Sequence, residues 1–223
     1  MSGLRIALPG GTLFESACNL LQAAGVARLD PVWFDRELSI REGDDVYVKV
    51  RPTDVPTYVE MGGCECGIVG KDVLWESNRE CYELADLGFG QCRLVLAAPR
   101  DSALAHGVWP QALRVATKYP VSAQRFFAAR SLNVVLIRLH GSVELAPLTG
   151  LADCVLDISA TGRTLLANNL VEIAEAGRSS ARLIANHAAL KTRNEAVGAI
   201  AVALRRAGLV GQVGRRAHRR VAG

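Results

Sequence analysis

Short apolar runs alternate with stretches of helical spacing as far as about residue 207, and this alternation constrains the fold more than any other feature. Residues 4–8 (LRIAL) read as a buried strand closed by Pro9-Gly10-Gly11. Thr12 then stands where it can cap a helix in which Leu13, Ala17, Leu20, Leu21 and Ala24 recur at helical spacing, and Gly25 ends it. Residues 45–50 alternate Val46, Val48 and Val50 with Tyr47 and Lys49, as a strand does. Thr53 or Asp54 is placed to cap a short helix carrying Pro56 in its first turn. Further strands are expected at 66–69, 93–98, 114–116, 134–139, 154–158 and 181–185, with helices at 73–76, 122–130 and from Arg163. The longest helix is expected over 187–207, with Leu190, Val197 and Leu204 in register. Strands alternating with helices imply an α/β protein with mainly parallel sheets. The units fall into two groups, which suggests two lobes meeting at about Arg93; a single doubly wound sheet is the alternative.

A chain of 223 residues can bury one good core or two small ones. No apolar stretch approaches the ~20 residues of a membrane span, and the start, Met1-Ser2-Gly3-Leu4-Arg5, lacks a signal peptide's apolar region. A cytoplasmic location is therefore expected. Cys18, Cys64, Cys66, Cys81, Cys92 and Cys154 sit irregularly, mostly in apolar segments, and read as small buried hydrophobes. Cys64-Glu65-Cys66 lacks a second Cys/His pair at ligand spacing, so no metal-ligating residue is assigned. The net charge of +4 is uneven: Arg205, Arg206, Arg215, Arg216, Arg219 and Arg220 have no acid among them, and +4 less those six leaves residues 1–204 at about −2. The body is thus not a nucleic-acid surface, and residues 211–223 are expected to form a basic tail without fixed structure. Trp33, Trp75 and Trp109 are expected to be packing residues.

The segment that carries chemistry is Asp157-Ile158-Ser159-Ala160-Thr161-Gly162-Arg163-Thr164. A carboxylate closes an apolar strand, and four residues later a hydroxyl–glycine–any–hydroxyl turn opens a helix. Gly162 lets backbone approach an anion, the free N–H groups of the turn favour phosphate, and Ser159, Thr161 and Thr164 add hydroxyl donors. Asp157 can accept from vicinal ribose hydroxyls. A 5-phosphosugar presents that pattern, and phosphoribosyltransferases carry the same Asp-x-x-x-Thr-Gly-x-Thr arrangement for phosphoribosyl pyrophosphate (PRPP). A plain turn capped by Thr161 is the bland reading.

With that motif in view, residues 51–60 (RPTDVPTYVE), 67–74 (GIVGKDVL), 82–99 (YELADLGFGQCRLVLAAP), 114–120 (RVATKYP), 141–153 (GSVELAPLTGLAD), 157–170 and 179–186 (SSARLIAN) closely resemble the ATP phosphoribosyltransferase family. The resemblance runs from about residue 4 to 204. It implies a two-lobed type II periplasmic-binding-protein-like fold with the active-site cleft between lobes. Residues 1–92 would form the first part of lobe I, 93–178 lobe II with the PRPP loop, and 179–210 the return to lobe I. It also implies the short form, which works with a separate regulatory subunit resembling a histidyl-tRNA synthetase, in homo- and hetero-oligomers. The implied reaction joins N1 of ATP to C1 of PRPP with Mg2+ and releases pyrophosphate, the first step of histidine biosynthesis. By the same resemblance, Glu144, Asp157 and residues 159–164, Ala160 and Arg163 included, would hold PRPP. Arg36, Arg51, Lys71 and Asp72 would face ATP or the pyrophosphate, with Arg51 the catalytic cation.

One departure stands out. The family's first loop reads Leu-Pro-Lys-Gly-Arg-Leu, and positions 8–13 here read Leu-Pro-Gly-Gly-Thr-Leu. Losing a charge-assisted contact costs roughly 1.5–3 kcal/mol, about ten- to a hundredfold in binding or rate. This loop is the one support for a rival reading, a catalytically weak PRPP- or nucleotide-binding regulatory paralogue. Nucleobase-salvage phosphoribosyltransferases share the turn but carry two adjacent acids where this chain has Leu156-Asp157. A solute-binding protein would share the two lobes but needs an export signal.

Overall fold

The structure, a computed structural model, describes residues 3–221, with side chains through residue 210. The expected basic tail therefore lies outside the residues whose side chains are described. The chain forms two compact units: unit 1 is Met1–Gly90 with Ser180–Gly223, and unit 2 is Gln91–Ser179.

Unit 1 runs β1 (Arg5–Pro9), α1 (Phe14–Ala23), β2 (Ser39–Glu42), β3 (Asp45–Val50), α2 (Val55–Glu60), β4 (Cys66–Gly70), α3 (Lys71–Glu76) and β5 (Tyr82–Asp86). In unit 2 follow β6 (Cys92–Pro99), β7 (Leu113–Thr117), α4 (Pro120–Ala128), β8 (Val134–Arg138), α5 (Leu145–Leu148), β9 (Cys154–Ser159), α6 (Arg163–Ala167) and β10 (Leu170–Ser179). The chain then returns to unit 1 with β11 (Ala181–Ala185), α7 (His187–Thr192) and α8 (Asn194–Val221).

The unit 1 sheet has the order β2-β3-β1-β4-β11-β5 and the unit 2 sheet β10-β6-β9-β7-β8. Both faces of the first sheet are covered, which explains why its central strands read as continuous apolar runs. Ile6, Leu8 and Ile68 pack on one face with Leu21 of α1 and Val197 and Leu204 of α8. Ala7, Val69 and Ile184 pack on the other with Val55 and Val59 of α2. Gly67 admits α2 there: a Cβ on it would stand 2.9 Å from Val55 Cγ1 and 3.1 Å from Ala7 Cβ. Unit 2 has its own core, with Val95, Ala97, Ala116, Val155 and Leu165 among its buried members.

Several expectations are corrected. The sheets are mixed, because four strand pairings are parallel and five antiparallel among the described residues. Strands β2, β5 and β10 have no counterpart in the sequence reading. Thr12 does not cap α1; it lies inside a 3-10 turn, Gly11–Leu13, and Leu13 occupies the cap position without a side-chain bond. Asp54 holds the cap position of α2 but makes no capping bond. The single helix expected over 187–207 breaks at Arg193, where φ is −132°. Trp33 and Trp109 are 48% and 36% exposed, so neither is a core packing residue.

Candidate active site

Parallel strands collect loops at their carboxyl ends, and those ends are where α/β sheets bind ligands. In unit 2 the parallel strands are β7, β8 and β9. Lys118 follows β7, Glu144 lies in the connection after β8 at the start of α5, and Ser159 to Thr164 follow the core of β9. Asp157 is the fourth residue of β9, not its last, since the strand runs on to Ser159. Its side chain is buried at 5% exposure. Oδ1 accepts the N–H of Ile158 at 2.8 Å, and Oδ2 lies 3.5 Å from Lys118 Nζ. Burial pushes this carboxyl above the ordinary carboxylate range; Lys118 and the Ile158 N–H pull it back, while the like charge of Glu144 pushes it further up.

The turn after β9 is built around Gly162, whose φ of +75° places it at the left-handed cap of α6. Thr161 makes no cap; Gly162 occupies the cap position that the plain-turn alternative gave to Thr161. Ser159 is buried, and its Oγ accepts the Gly162 N–H at 3.0 Å, so it shapes the turn while its own proton stays available to a ligand. Ala160, Thr161, Arg163 and Thr164 are exposed. Behind the turn, Glu172 accepts both guanidinium arms of Arg93 at 2.7 and 2.8 Å, which neutralises the acid that stands beside Gly162. A Cβ on Gly162 would stand 3.5 Å from Glu172 Oε1.

In unit 1 the parallel strands are β1, β3 and β4. Their carboxyl ends lead into the Gly10–Thr12 turn, Arg51 and Lys71, and the Gly10 N–H donates to Val50 O at 2.7 Å. Arg36 caps a 3-10 turn, Pro31–Asp35, just before β2, whose first residue, Ser39, pairs with Val48 of β3. Arg36 and Arg51 are exposed. Lys71 pairs with Glu83, which also accepts from Arg182 at 2.9 Å, and the Lys71 N–H donates to Ser180 O. Asp72 folds back over Gly70, where a Cβ would meet its Oδ1. Beside the first loop a cavity of ≈ 490 Å³ is lined by Gly11, Thr12, Phe14, Asp35 and Lys49. Lys49 reaches the Phe34 carbonyl at 3.4 Å and lies 4.3 Å from the Phe14 ring centroid.

Each unit thus gathers its own predicted residues at one end of its sheet. Lys118 was not singled out from the sequence, although it lies in a segment that carried the resemblance. A cavity of ≈ 540 Å³ opens at the amino ends of the unit 2 strands, beside Arg114 and Asp153, away from the Asp157 turn.

The unit 2 arrangement thus offers carboxylate acceptors on and after the parallel strands and, in the Gly162 turn, backbone and hydroxyl donors. Residues 51–206 match the family described as HisG: ATP phosphoribosyltransferase. ATP phosphoribosyltransferases from Carboxydothermus hydrogenoformans and Rubrobacter xylanophilus are 44% and 45% identical over 201 and 214 residues. These cover 89% and 93% of this chain and 91% and 98% of theirs. The chain belongs to the ATP phosphoribosyltransferase family. Among solved structures, the ATP phosphoribosyl transferase (HisG:HisZ) complex from Thermotoga maritima matches with TM-score 0.78 and 32% identity, covering 92% of this chain and 98% of that one. The periplasmic aliphatic sulphonate binding protein SsuA of Escherichia coli matches at TM-score 0.62 and 12% identity over 97% of this chain and 71% of its own, a likeness of fold alone. The fold is therefore the two-lobed type II periplasmic-binding-protein-like one, in a pentosyltransferase of histidine biosynthesis.

Proposed function

We propose that the unit 2 site holds PRPP and that unit 1 supplies the cations for ATP and the departing pyrophosphate. The observation that carries this reading is the buried Asp157 carboxylate set four residues ahead of the Gly162 turn. Asp157 and Glu144 accept from the ribose hydroxyls. The N–H groups and hydroxyls of Ser159, Ala160, Thr161, Gly162, Arg163 and Thr164 take the 5-phosphate, with the Arg163 guanidinium adding charge. N1 of the adenine attacks C1 of the ribose, the C1–O bond to pyrophosphate breaks, and its electron pair leaves with the pyrophosphate. The protein forms no covalent bond; it holds the two reactants and offsets charge. Arg51 acts as the catalytic cation by neutralising pyrophosphate, and Arg36, Lys71 and Asp72 position ATP. Asp157 and Glu144 suit Mg2+, which takes one or two carboxylates and fills its shell from substrate oxygens and water. Among the described residues no group of three His, Cys, Asp or Glu forms a protein cage. Bound there with substrate, Mg2+ supplies positive charge to the pyrophosphate.

The reading extends to a regulatory partner. The Thermotoga maritima relative was solved as a HisG:HisZ complex, which supports short-form assembly with a separate histidyl-tRNA-synthetase-like subunit. We infer a cytoplasmic enzyme as well, in keeping with its six free thiols.

Asp157→Ala tests the site. Calorimetry is expected to show PRPP affinity reduced at least tenfold, the loss of about 1.4 kcal/mol or more from charged hydrogen bonds, with circular dichroism unchanged. Undiminished affinity in a folded variant overturns the assignment.

A further inference from the structure

The register between β7 and β9 sets a cation against the buried acid. Thr117 pairs with Leu156, so the next residue on each strand brings Lys118 beside Asp157. Thr117 is fully buried, and it bolts the two strands together at that point. Its hydroxyl donates to Leu156 O at 2.6 Å and accepts the Tyr119 N–H at 2.8 Å, which fixes the backbone on both sides of Lys118. On the opposite flank, Asp157 faces Val95 of β6, an apolar neighbour. Arg93 of the same strand is committed to Glu172 and, at 3.7 Å, to Glu175. The charged groups that bear on Asp157 are thus Lys118 after β7 and Glu144 at the start of α5.

A site with two carboxylates is a poor host for a substrate that carries a phosphate and a pyrophosphate. An ammonium 3.5 Å from one carboxylate oxygen offsets that charge and holds the carboxylate in one orientation. We infer that Lys118 is a positioning residue of the PRPP site: it orients the Asp157 carboxylate toward the ribose hydroxyls and offsets the acidic pair so that an anionic phosphoribosyl donor can approach. This rests on the assignment of Asp157 to PRPP made above. Lys118 acts through Asp157, and because its own side chain is exposed, removing it leaves the fold in place.

The test is steady-state kinetics in PRPP at saturating ATP for Lys118→Met, Lys118→Arg and Asp157→Asn. Lys118→Met is expected to raise the KM for PRPP about tenfold with kcat changed less than threefold, the split of an interaction spent on substrate binding. Lys118→Arg is expected to restore most of the KM. An unchanged KM in Lys118→Met, or an equal defect in the Met and Arg variants, overturns the role of Lys118 provided Asp157→Asn is impaired. If Asp157→Asn binds PRPP normally, the underlying site falls instead, and the inference with it.

Discussion

Asp157 is where function and stability pull against each other. Burial raises its carboxyl above the ordinary carboxylate value, and the opposing pull of Lys118 and the Ile158 N–H does not reverse that. The folded group therefore binds its proton more tightly than the unfolded one does. The native state loses stability as pH rises from the unfolded value, about 4, through the raised folded value. An amide in its place carries no charge, and its oxygen still accepts the Ile158 N–H, while the exposed Lys118 turns to water. Asp157→Asn is thus expected to melt at a higher temperature than the parent in ligand-free protein at pH 7, with the difference shrinking to nothing at about pH 3.5. Thermal unfolding at the two pH values checks it; a variant that melts lower at pH 7 would show that the charge is stabilising. The motif around Asp157 was legible because its parts are contiguous: acid, spacer, hydroxyl, glycine. Lys118 was not, because its partner is 39 positions away and only the β7–β9 register brings them together.

At the scale of elements, both units staple their parallel strands in the same way. Arg5, at the start of β1, donates its N–H to Glu65 Oε2 at 2.7 Å and its guanidinium to Glu65 Oε1 at 2.8 Å and Gly62 O at 3.0 Å. Arg114, near the start of β7, donates its N–H to Asp153 Oδ2 at 2.8 Å and its guanidinium to Asp153 Oδ1 at 2.7 Å and Gly150 O at 2.9 Å. In both cases the acid stands three residues after the glycine and directly before the cysteine that opens the next strand, β4 or β9. Glu65, which invited a metal reading between two cysteines, is therefore a strand staple; burial pushes the Cys64 thiol up to about 11. Hydrogen bonds from Arg114 lower the Asp153 carboxyl. Burial would raise Glu65, but the bonds from Arg5 outweigh it. Stability from such depressed groups is present above the unfolded carboxylate value and lost as pH falls through the folded one. Glu65→Ala and Asp153→Ala are each expected to cost about 1 kcal/mol at pH 7, partly exposed pairs being screened. That corresponds to roughly 2–4 °C in Tm, and the cost should vanish in acid. Equal melting points at pH 7 would show that the staples contribute nothing. The strands that sequence patterning did not reveal, β2 (SIRE), β5 (YELAD) and β10, all lie at sheet edges. Edge strands need no continuous apolar run, and β10 also carries two register shifts that break its alternation. Each pairs antiparallel with its neighbour, so overlooking them is also why the sheets read as mainly parallel.

For the whole molecule the decisive fact is that unit 1 is discontinuous and unit 2 is not. β11 lies between β4 and β5, antiparallel to both, so the unit 1 sheet cannot close until residue 185 is present. Just beyond it, the buried Asn186 ties the return segment to the first by donating to Val59 O at 2.9 Å and Cys64 O at 3.1 Å. The segment after residue 180 also brings Leu183, Ala189, Val197 and Leu204 into the unit 1 core. A chain ended after Ser179 keeps every residue of unit 2, including the Asp157 turn and all five strands of its sheet, but leaves β4 with an open edge and β5 unpaired. Since compact units with their own cores fold as units, hydrogen exchange on that truncated chain is expected to find β6, β7 and β9 protected. Peptides from β1, β3 and β4 should exchange as unfolded chain. Far-UV circular dichroism should fall to the content of unit 2 alone. Protection in β1 and β4 without β11 would show that residues 1–90 close a sheet by themselves. Loss of protection in β6 and β9 would show that unit 2 depends on unit 1 to hold its fold.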